Sequence, residues 1–565
     1  MHPGYLVPLQ RLAFLFMVVL LLPITPIVSM EEGKTYRPCQ VAVAASNFSG
    51  RWAVYLLWPY EGKVIELSAP GVEDRQPTWS PDGRQIAFER REGDNWNIYV
   101  LKLTTGAMRK LTGHPAFDGY PNWSPDGKSL VFESSRDGTL GIYAVPATGG
   151  VVRKVFVGDV ASTSPVWQAQ PNALLISSWS KGRQGLFTLR PGASTPIEVD
   201  QHEDLGQSVV AGESIASSVV VGDEAHILVR TGQGAQLDLS RAGQHHEWPT
   251  WDQTIQRWAA LELVGGNRYE YPHGWRIVIL GQDSTALPLF LPGQWQRLGC
   301  APNPTAISDA YASRMPSSAM NLRAVGTMPP VTGKEELTRV PNLEATQPWF
   351  VQSVAPSFIS LRAALQQASG YDALRALNDV WRDLGTDSGA TFSWHKAGRA
   401  FDMQFTLSDR ADQPLLFISR ETLCGETYFR LYIRTTRQDG SQGEPLRQSL
   451  WVVDFDRLDQ AGRPTGGRSY APNDGYFVDF TDLAQRHGWL RISAATRPDL
   501  DWRSNFHALE YWHYERKDGL CLYAALGRLY PDERIRELMN YDRLLADGRT
   551  PQELSYFCVP KPTRT

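Results

Sequence analysis

Two short stretches of this 565-residue chain bring together side chains that bind metals and move protons. Ser393-Trp394-His395-Lys396-Ala397-Gly398-Arg399-Ala400-Phe401-Asp402 carries an imidazole and a carboxylate seven positions apart. Glu510-Tyr511-Trp512-His513 begins 108 positions after Asp402 and adds a second imidazole and a further carboxylate. His395, Asp402 and His513 supply three metal ligands, and Glu510 is left over. Three protein ligands leave the fourth position of a tetrahedral zinc open, the mark of a catalytic rather than a structural site. Water held on such a zinc has its pKa lowered to roughly 7. A neighbouring glutamate can take its proton and later pass it to a leaving amine.

The pattern Ser-x-His-x-x-x-x-x-x-Asp, with Gly398 and Ala400 at small positions and a later Glu-x-Trp-His, resembles the zinc D-Ala-D-Ala carboxypeptidases and dipeptidases. That group includes the vancomycin-resistance peptidases of the VanY type. The resemblance implies that His395, Asp402 and His513 hold zinc, that Glu510 is the catalytic base, and that Ser393 is the polar residue before the first histidine. It also implies a substrate, a peptidoglycan stem peptide ending in D-alanine, and an α+β fold with a small sheet behind the metal. Members of the family stabilise the oxyanion with an upstream arginine or glutamine. Arg362, Arg375 and Arg382 all lie upstream, and the sequence does not choose among them.

The spacing constrains the elements that must carry these residues. An odd offset along one straight strand points two side chains to opposite faces. His395 and Asp402 therefore need a turn between them, which Gly398 permits. Glu510 and His513 need a bend or bulge, expected near Trp512, within an aromatic run at 506–516 that reads as a strand. Residues 360–369 and 371–384 read as helices, the second with Leu374, Leu377, Val380, Trp381 and Leu384 on one face. Strands are expected at 401–405, 428–433 and 476–480, followed by a helix capped by Thr481 and running to His487. The separation of the two motifs exceeds that of the simplest family members. The excess is placed in 410–470, as an insertion that walls or blocks the pocket.

The remaining histidines are weaker candidates. His507 suits a pocket rim or a solvent face. His245-His246-Glu247 reads as a loop, and His487-Gly488 as a helix end, where a histidine suits the dipole and glycine the cap.

The first half is repetitive. Pro77-Thr78-Trp79-Ser80-Pro81-Asp82-Gly83 recurs 44 residues later as Pro121-Asn122-Trp123-Ser124-Pro125-Asp126-Gly127, with worn copies at Trp167 and Trp251. A period of 40–45 residues with short strands indicates propeller blades. The repeat resembles the TolB-type β-propeller, usually six-bladed. Phasing places units near Trp52, Trp79, Trp123, Trp167, Val209 and Trp251, with residues 41–44 supplying a closing strand. The repeated tryptophans and aspartates read as scaffold, and the propeller as a binding platform for an envelope protein or a glycan.

The expected architecture is thus multidomain: an all-β propeller at 40–300, a linker at 301–345 rich in turn residues, and an α+β zinc-peptidase domain at 346–565. Residues 1–30 contain an uncharged apolar stretch that reads as a signal peptide or an uncleaved membrane anchor. Either reading places the rest of the chain outside the cytoplasm. Apolar content is 42% and net charge −4, with no basic run. That balance argues against nucleic acid or an anionic membrane as the main partner; membrane contact is expected only through the N-terminal segment. The five cysteines form no C-x-x-C pair, so a cysteine zinc site is not expected. Cys39 and Cys300 bracket the propeller and are candidates for a closing disulfide. Two functions follow: an exported zinc peptidase of the cell envelope, or a non-catalytic envelope binding protein with a zinc-stiffened, degenerate peptidase domain. A serine hydrolase is disfavoured, because no Gly-x-Ser-x-Gly elbow occurs in the C-terminal half.

Overall fold

The repeated Trp-Ser-Pro-Asp-Gly makes the same turn twice. Ser80 Oγ donates to Asp82 Oδ1 at 2.6 Å, and the N–H groups of Arg84 and Gln85 return to Asp82 and to Ser80 Oγ. Ser124, Asp126, Lys128 and Ser129 repeat these bonds atom for atom. Gly83 and Gly127 take the left-handed conformation the turn requires, φ 70° and 69°. The tryptophans tie neighbouring blades: Trp123 Nε1 donates to Thr78 O and Trp79 Nε1 to Gly299 O. The repeated residues are therefore scaffold.

These turns belong to six four-stranded antiparallel sheets within residues 42–300 of the computed structural model. The structure describes residues 39–562 except 48–49, 169–172, 191, 203–204, 222–223, 265–273, 282–290, 293, 303–332, 386–391, 411–412, 424 and 498–499. The apolar segment read at 1–30, Cys424 and most of the stretch read as linker lie outside the described residues. Among the described residues, no helix is long and apolar enough to cross a membrane.

The inner strands of the sheets are Asp74–Trp79, Asp118–Trp123, Ser162–Gln168, Leu205–Ala211, His246–Asp252 and Trp295–Cys300. Each adjoins the next, and the last adjoins the first, so the ring is closed. The sixth inner strand comes from the C-terminal end of the ring, not from Trp52 as phasing suggested. Trp52 precedes Ala53–Trp58, which lies two strands further out. Ala42–Ser46 pairs on one side with Trp295–Cys300 and on the other with Ala53–Trp58, so this blade is built from both ends of the propeller. A Cys39–Cys300 disulfide lies at the seam, and the Cys39 N–H donates to Asp252 at 2.6 Å. A second disulfide joins Cys521 and Cys558. His246 is in a strand rather than a loop. It is buried against Glu262 at 3.2 Å, and His245 meets Glu247 at 2.8 Å, so these histidines are structural.

Residues 333–345 are not linker. Leu337–Arg339 pairs with Trp349–Val351, and Val340 and Leu343 enter the C-terminal core. One helix forms at Ala355–Ser369 and stops because Gly370 turns left-handed at φ 73°. The second expected helix is absent. Leu377–Asp379 is a strand paired with Ala400–Met403, and Asn378 Nδ2 donates to Met403 O. Leu374, Leu377 and Val380 are buried as the apolar pattern required. A short apolar run does not distinguish buried helix from buried extended chain, and pairing decided it. The later helix spans Phe480–Arg486 with Asp479, not Thr481, as N-cap.

The 410–470 segment spends its length on the propeller. Leu416–Leu423, Glu426–Arg434 and Phe477–Asp479 form a three-stranded sheet facing it. Arg447 reaches into the propeller centre, where Glu89 and Glu133 are fully buried; it meets them at 3.2 and 2.9 Å and lies 4.7 Å over the Phe117 ring. Arg75 pairs with Glu444 and Arg486 with Glu73 across the same contact. Trp179 Nε1 donates to Ser449 at 2.9 Å, and Ser135 bonds Tyr476 at 2.8 Å.

The interface carries an acid-sensitive pair. Burial alone would raise the Glu421 carboxyl, but Arg491 and Arg430 outweigh it and lower its pKa from 4.5 to about 2. A depressed carboxylate contributes stability that is present above the unfolded value and lost as pH falls towards the folded one. Thermal midpoints should therefore drop as pH falls from about 4.5 towards about 2. Glu421→Gln should flatten that drop; an unchanged slope in the variant would show that Glu421 does not contribute.

Candidate metal centre

Gly398 sets the first half of the site. Trp394–Ala397 is one turn of 3-10 helix carrying His395, and it ends at Gly398 with φ 64°. A Cβ there would stand 3.0 Å from Leu337 Cδ2 and 3.1 Å from Val351 N, so only glycine fits. The chain reverses into Ala400–Met403, which carries Asp402. Arg399 is fully buried and pins the turn: it donates to Glu335 and Ser353 with one terminal nitrogen and to Asp518 with the other, all near 2.9–3.1 Å.

His513–Glu515 pairs with this strand, and the register puts Asp402 directly opposite His513. Phe401 and Tyr514, on the other face, stack with Phe358, Phe480 and Trp489 in the core. The required bend lies at Glu510 itself rather than near Trp512. Glu510 adopts φ 56°, uncommon for a residue with a side chain, and His513 N donates to Glu510 O at 3.1 Å. Left-handed strain of this kind concentrates at functional sites. The run 506–516 is thus not one strand: Phe506–Ala508 is a 3-10 turn and only His513–Glu515 is extended.

Three ligand atoms converge. His395 Nε2 lies 3.2 Å from Asp402 Oδ1 and 3.2 Å from His513 Nδ1, and the last two are 2.8 Å apart. All three residues are buried, and together they make a group able to hold a metal ion. Ligands about 2.0–2.1 Å from a tetrahedral zinc stand about 3.3 Å from one another. The triangle is close to that size, and two imidazoles with one carboxylate are donors zinc accepts. The outer nitrogens are anchored. His395 Nδ1 donates to Val380 O at 2.6 Å, freeing Nε2 as the ligand. His513 Nε2 lies 3.6 Å from Glu515, whose other oxygen meets Lys517 at 2.8 Å.

Burial pushes the Glu510 carboxyl up from its ordinary value, and the charges of His513, Asp402, His395 and Arg382 all act on it. Burial opposes ionisation of Asp402 too, but His395 and His513 hold its carboxyl well below the usual range. Of the three upstream arginines, only Arg382 reaches the cluster, 3.8 Å from Asp402 Oδ2 and paired with Asp379. Arg362 is spent on Asp372, and Arg375 is exposed beside Glu344. The sequence names Arg382 as one of three candidates, and the contact with Asp402 singles it out. Ser393 and Ala400 are buried beside the turn. His507 is exposed, its ring 6.4 Å from Phe405 in the aromatic group that also holds Trp512.

Residues 54–198 match the family described as TolB beta propeller domain. This segment is a TolB-type β-propeller domain. Solved structures similar to the chain include TolB from Acinetobacter baumannii, 18% identical, covering 46% of this chain and 66% of that one, with a TM-score of 0.39. The putative TolB from Agrobacterium tumefaciens is 20% identical over 35% of this chain and 80% of that one, TM-score 0.28. A puromycin-hydrolyzing peptidase from Mycobacterium tuberculosis is 18% identical over 44% and 43%, TM-score 0.33. The chain thus spans just under two thirds of the first of these and less than half of the last. All three scores lie below 0.5 and bear on no question of function. A search of curated proteins returns no match. The TolB match covers part of the propeller and stops well short of His395, Asp402, Glu510 and His513.

Proposed function

We propose that the C-terminal part is a zinc-dependent peptidase of the cell envelope, acting as a D-alanyl-D-alanine carboxypeptidase on peptidoglycan stem peptides. The observation that carries this reading is the closed triangle of His395 Nε2, Asp402 Oδ1 and His513 Nδ1, each side 2.8–3.2 Å, with the Glu510 carboxyl near enough to feel the charge of all three residues. The substrate class rests on the motif resemblance. Two disulfides support an extracytoplasmic location, since such bonds persist in oxidising compartments.

The three ligands would hold the zinc. When bound, it would supply Lewis acidity towards the scissile carbonyl and acidify a water. The chain's own residues do the rest. Glu510 accepts the proton from the attacking water and delivers it to the leaving amine. Arg382, tied down by Asp379, offers positive charge to the oxyanion that develops on the carbonyl. Val380 O fixes the plane of the His395 imidazole, and Glu515 faces the outer nitrogen of His513.

Metal content of the purified protein, measured beside Asp402→Ala, tests the reading. About one zinc per chain, lost in the variant, is the expected result for a three-ligand site. A well-folded native protein that takes up no zinc would overturn it. A zinc-loaded protein that cleaves no muropeptide would leave the binding-protein reading in its place.

A further inference from the structure

We propose that the cavity between the propeller and the C-terminal part is a binding site for a neutral saccharide. The cavity measures about 500 Å³ and shares no lining residue with the metal centre. Its size falls within the range of ligand sites, about 300–1,000 Å³. Exposed Gly206 and the 30%-exposed Glu247 at its edge connect it to solvent.

The propeller builds this site by repetition. The first five inner strands each break register with their neighbour at the same place, between Arg75 and Thr78, Gly119 and Asn122, Thr163 and Val166, Leu205 and Ser208, and Glu247 and Thr250. Such bulges re-aim side chains. The first residue inside each break is Gln76, Tyr120, Ser164, Gly206 or Trp248, spaced 44, 44, 42 and 42 residues apart; all five line the cavity, and Gln207 beside Gly206 lines it too. The Trp-Ser-Pro-Asp-Gly scaffold repeats, but this position carries a different side chain in nearly every blade. A constant frame presenting variable side chains to one cavity is the arrangement of a recognition site.

The chemistry selects the ligand. Most charged groups of the wall are paired with one another, among them Arg430 with Glu421 and Asp479, Arg486 with Asp482, and Arg75 with Glu444. Gln76 Oε1 and Gln207 Oε1 are buried acceptors without a partner, on residues 5% and 9% exposed. An unpaired buried acceptor is costly, and an O–H or amide N–H of a ligand would satisfy it. Trp248, Trp275 and Trp295 add flat apolar surfaces. A saccharide matches both features, with hydroxyl and acetamido donors at its rim and C–H faces on its rings. A peptide end would bring a charge into a wall most of whose charges already have partners.

Calorimetric titration of the full chain with tri-N-acetylglucosamine tests this, beside cellotriose and a blocked trialanine amide. Saturable binding of at least one saccharide is expected. Gln76→Leu and Gln207→Leu should each weaken it about 3- to 10-fold, the worth of one neutral hydrogen bond, with the thermal midpoint retained. Binding should persist after metal is removed with EDTA, which separates the cavity from the metal centre whatever that centre does. The proposal is overturned if neither saccharide binds at about 10 mM, a ceiling weaker than −4 kcal/mol. It is equally overturned if both variants bind as the native protein does, if EDTA abolishes binding, or if the blocked peptide alone binds.

Discussion

Glu510→Gln is expected to lower kcat on a D-alanine-terminated muropeptide by about 10²–10⁴-fold, the usual contribution of a positioned acid–base group. Zinc content and the thermal midpoint should stay at native values. Glutamine keeps the size and the hydrogen-bonding outline of the side chain but can neither take nor give the proton. The metal should stay because Glu510 is outside the ligand triangle of His395, Asp402 and His513. Its backbone at φ 56° is tolerated about as well by either side chain, so the bend that delivers His513 survives. Steady-state kinetics and metal analysis on the same preparation decide the matter. Loss of zinc with activity would make Glu510 a structural residue, and undiminished kcat would remove it from the chemistry.

Arg447→Ala should cost about 3–5 kcal/mol of stability, the range seen when one partner of a buried pair is removed. Arg447 lies between Glu89 and Glu133, both fully buried, in the centre of the propeller. Arg75 remains beside Glu89 after the change, whereas Glu133 loses its ion pair and keeps the Ser164 N–H. Burial already pushes the Glu133 carboxyl up, against the pull of Arg447; without that pull it would rise further and take a proton. Thermal melts and limited proteolysis between the two parts read the effect. An Arg447→Ala protein as stable and as protease-resistant as the native one would show that this residue does not dock the C-terminal part.

The legible features were those whose cause is local. The turn at Ser80-Pro81-Asp82-Gly83 follows from side chains bonding their own backbone, and it recurs wherever the letters recur. The need for glycine at 398 was readable from the odd spacing of His395 and Asp402. The helix expected at 371–384 failed because its apolar pattern suited either state, and a partner strand 23 residues on took Leu377–Asp379. The same segment left Arg382 undistinguished from Arg362 and Arg375. The sixth inner strand was missed because Trp295–Cys300 carries no Trp-Ser-Pro-Asp-Gly and closes the ring from the far end.

The sequence by itself determined the repeat period, the scaffold role of its tryptophans and aspartates, and the identity of the candidate metal ligands. Each depends on residue type and spacing within a few turns of chain. Tertiary structure decided where Glu510 bends, which arginine reaches the cluster, and what the long 410–470 segment does. Those outcomes depend on contacts between residues hundreds of positions apart, such as Arg447 with Glu89 and Glu133. No local pattern records them, because the energy lies in pairing buried charges and closing a cavity that exist only once both parts have folded.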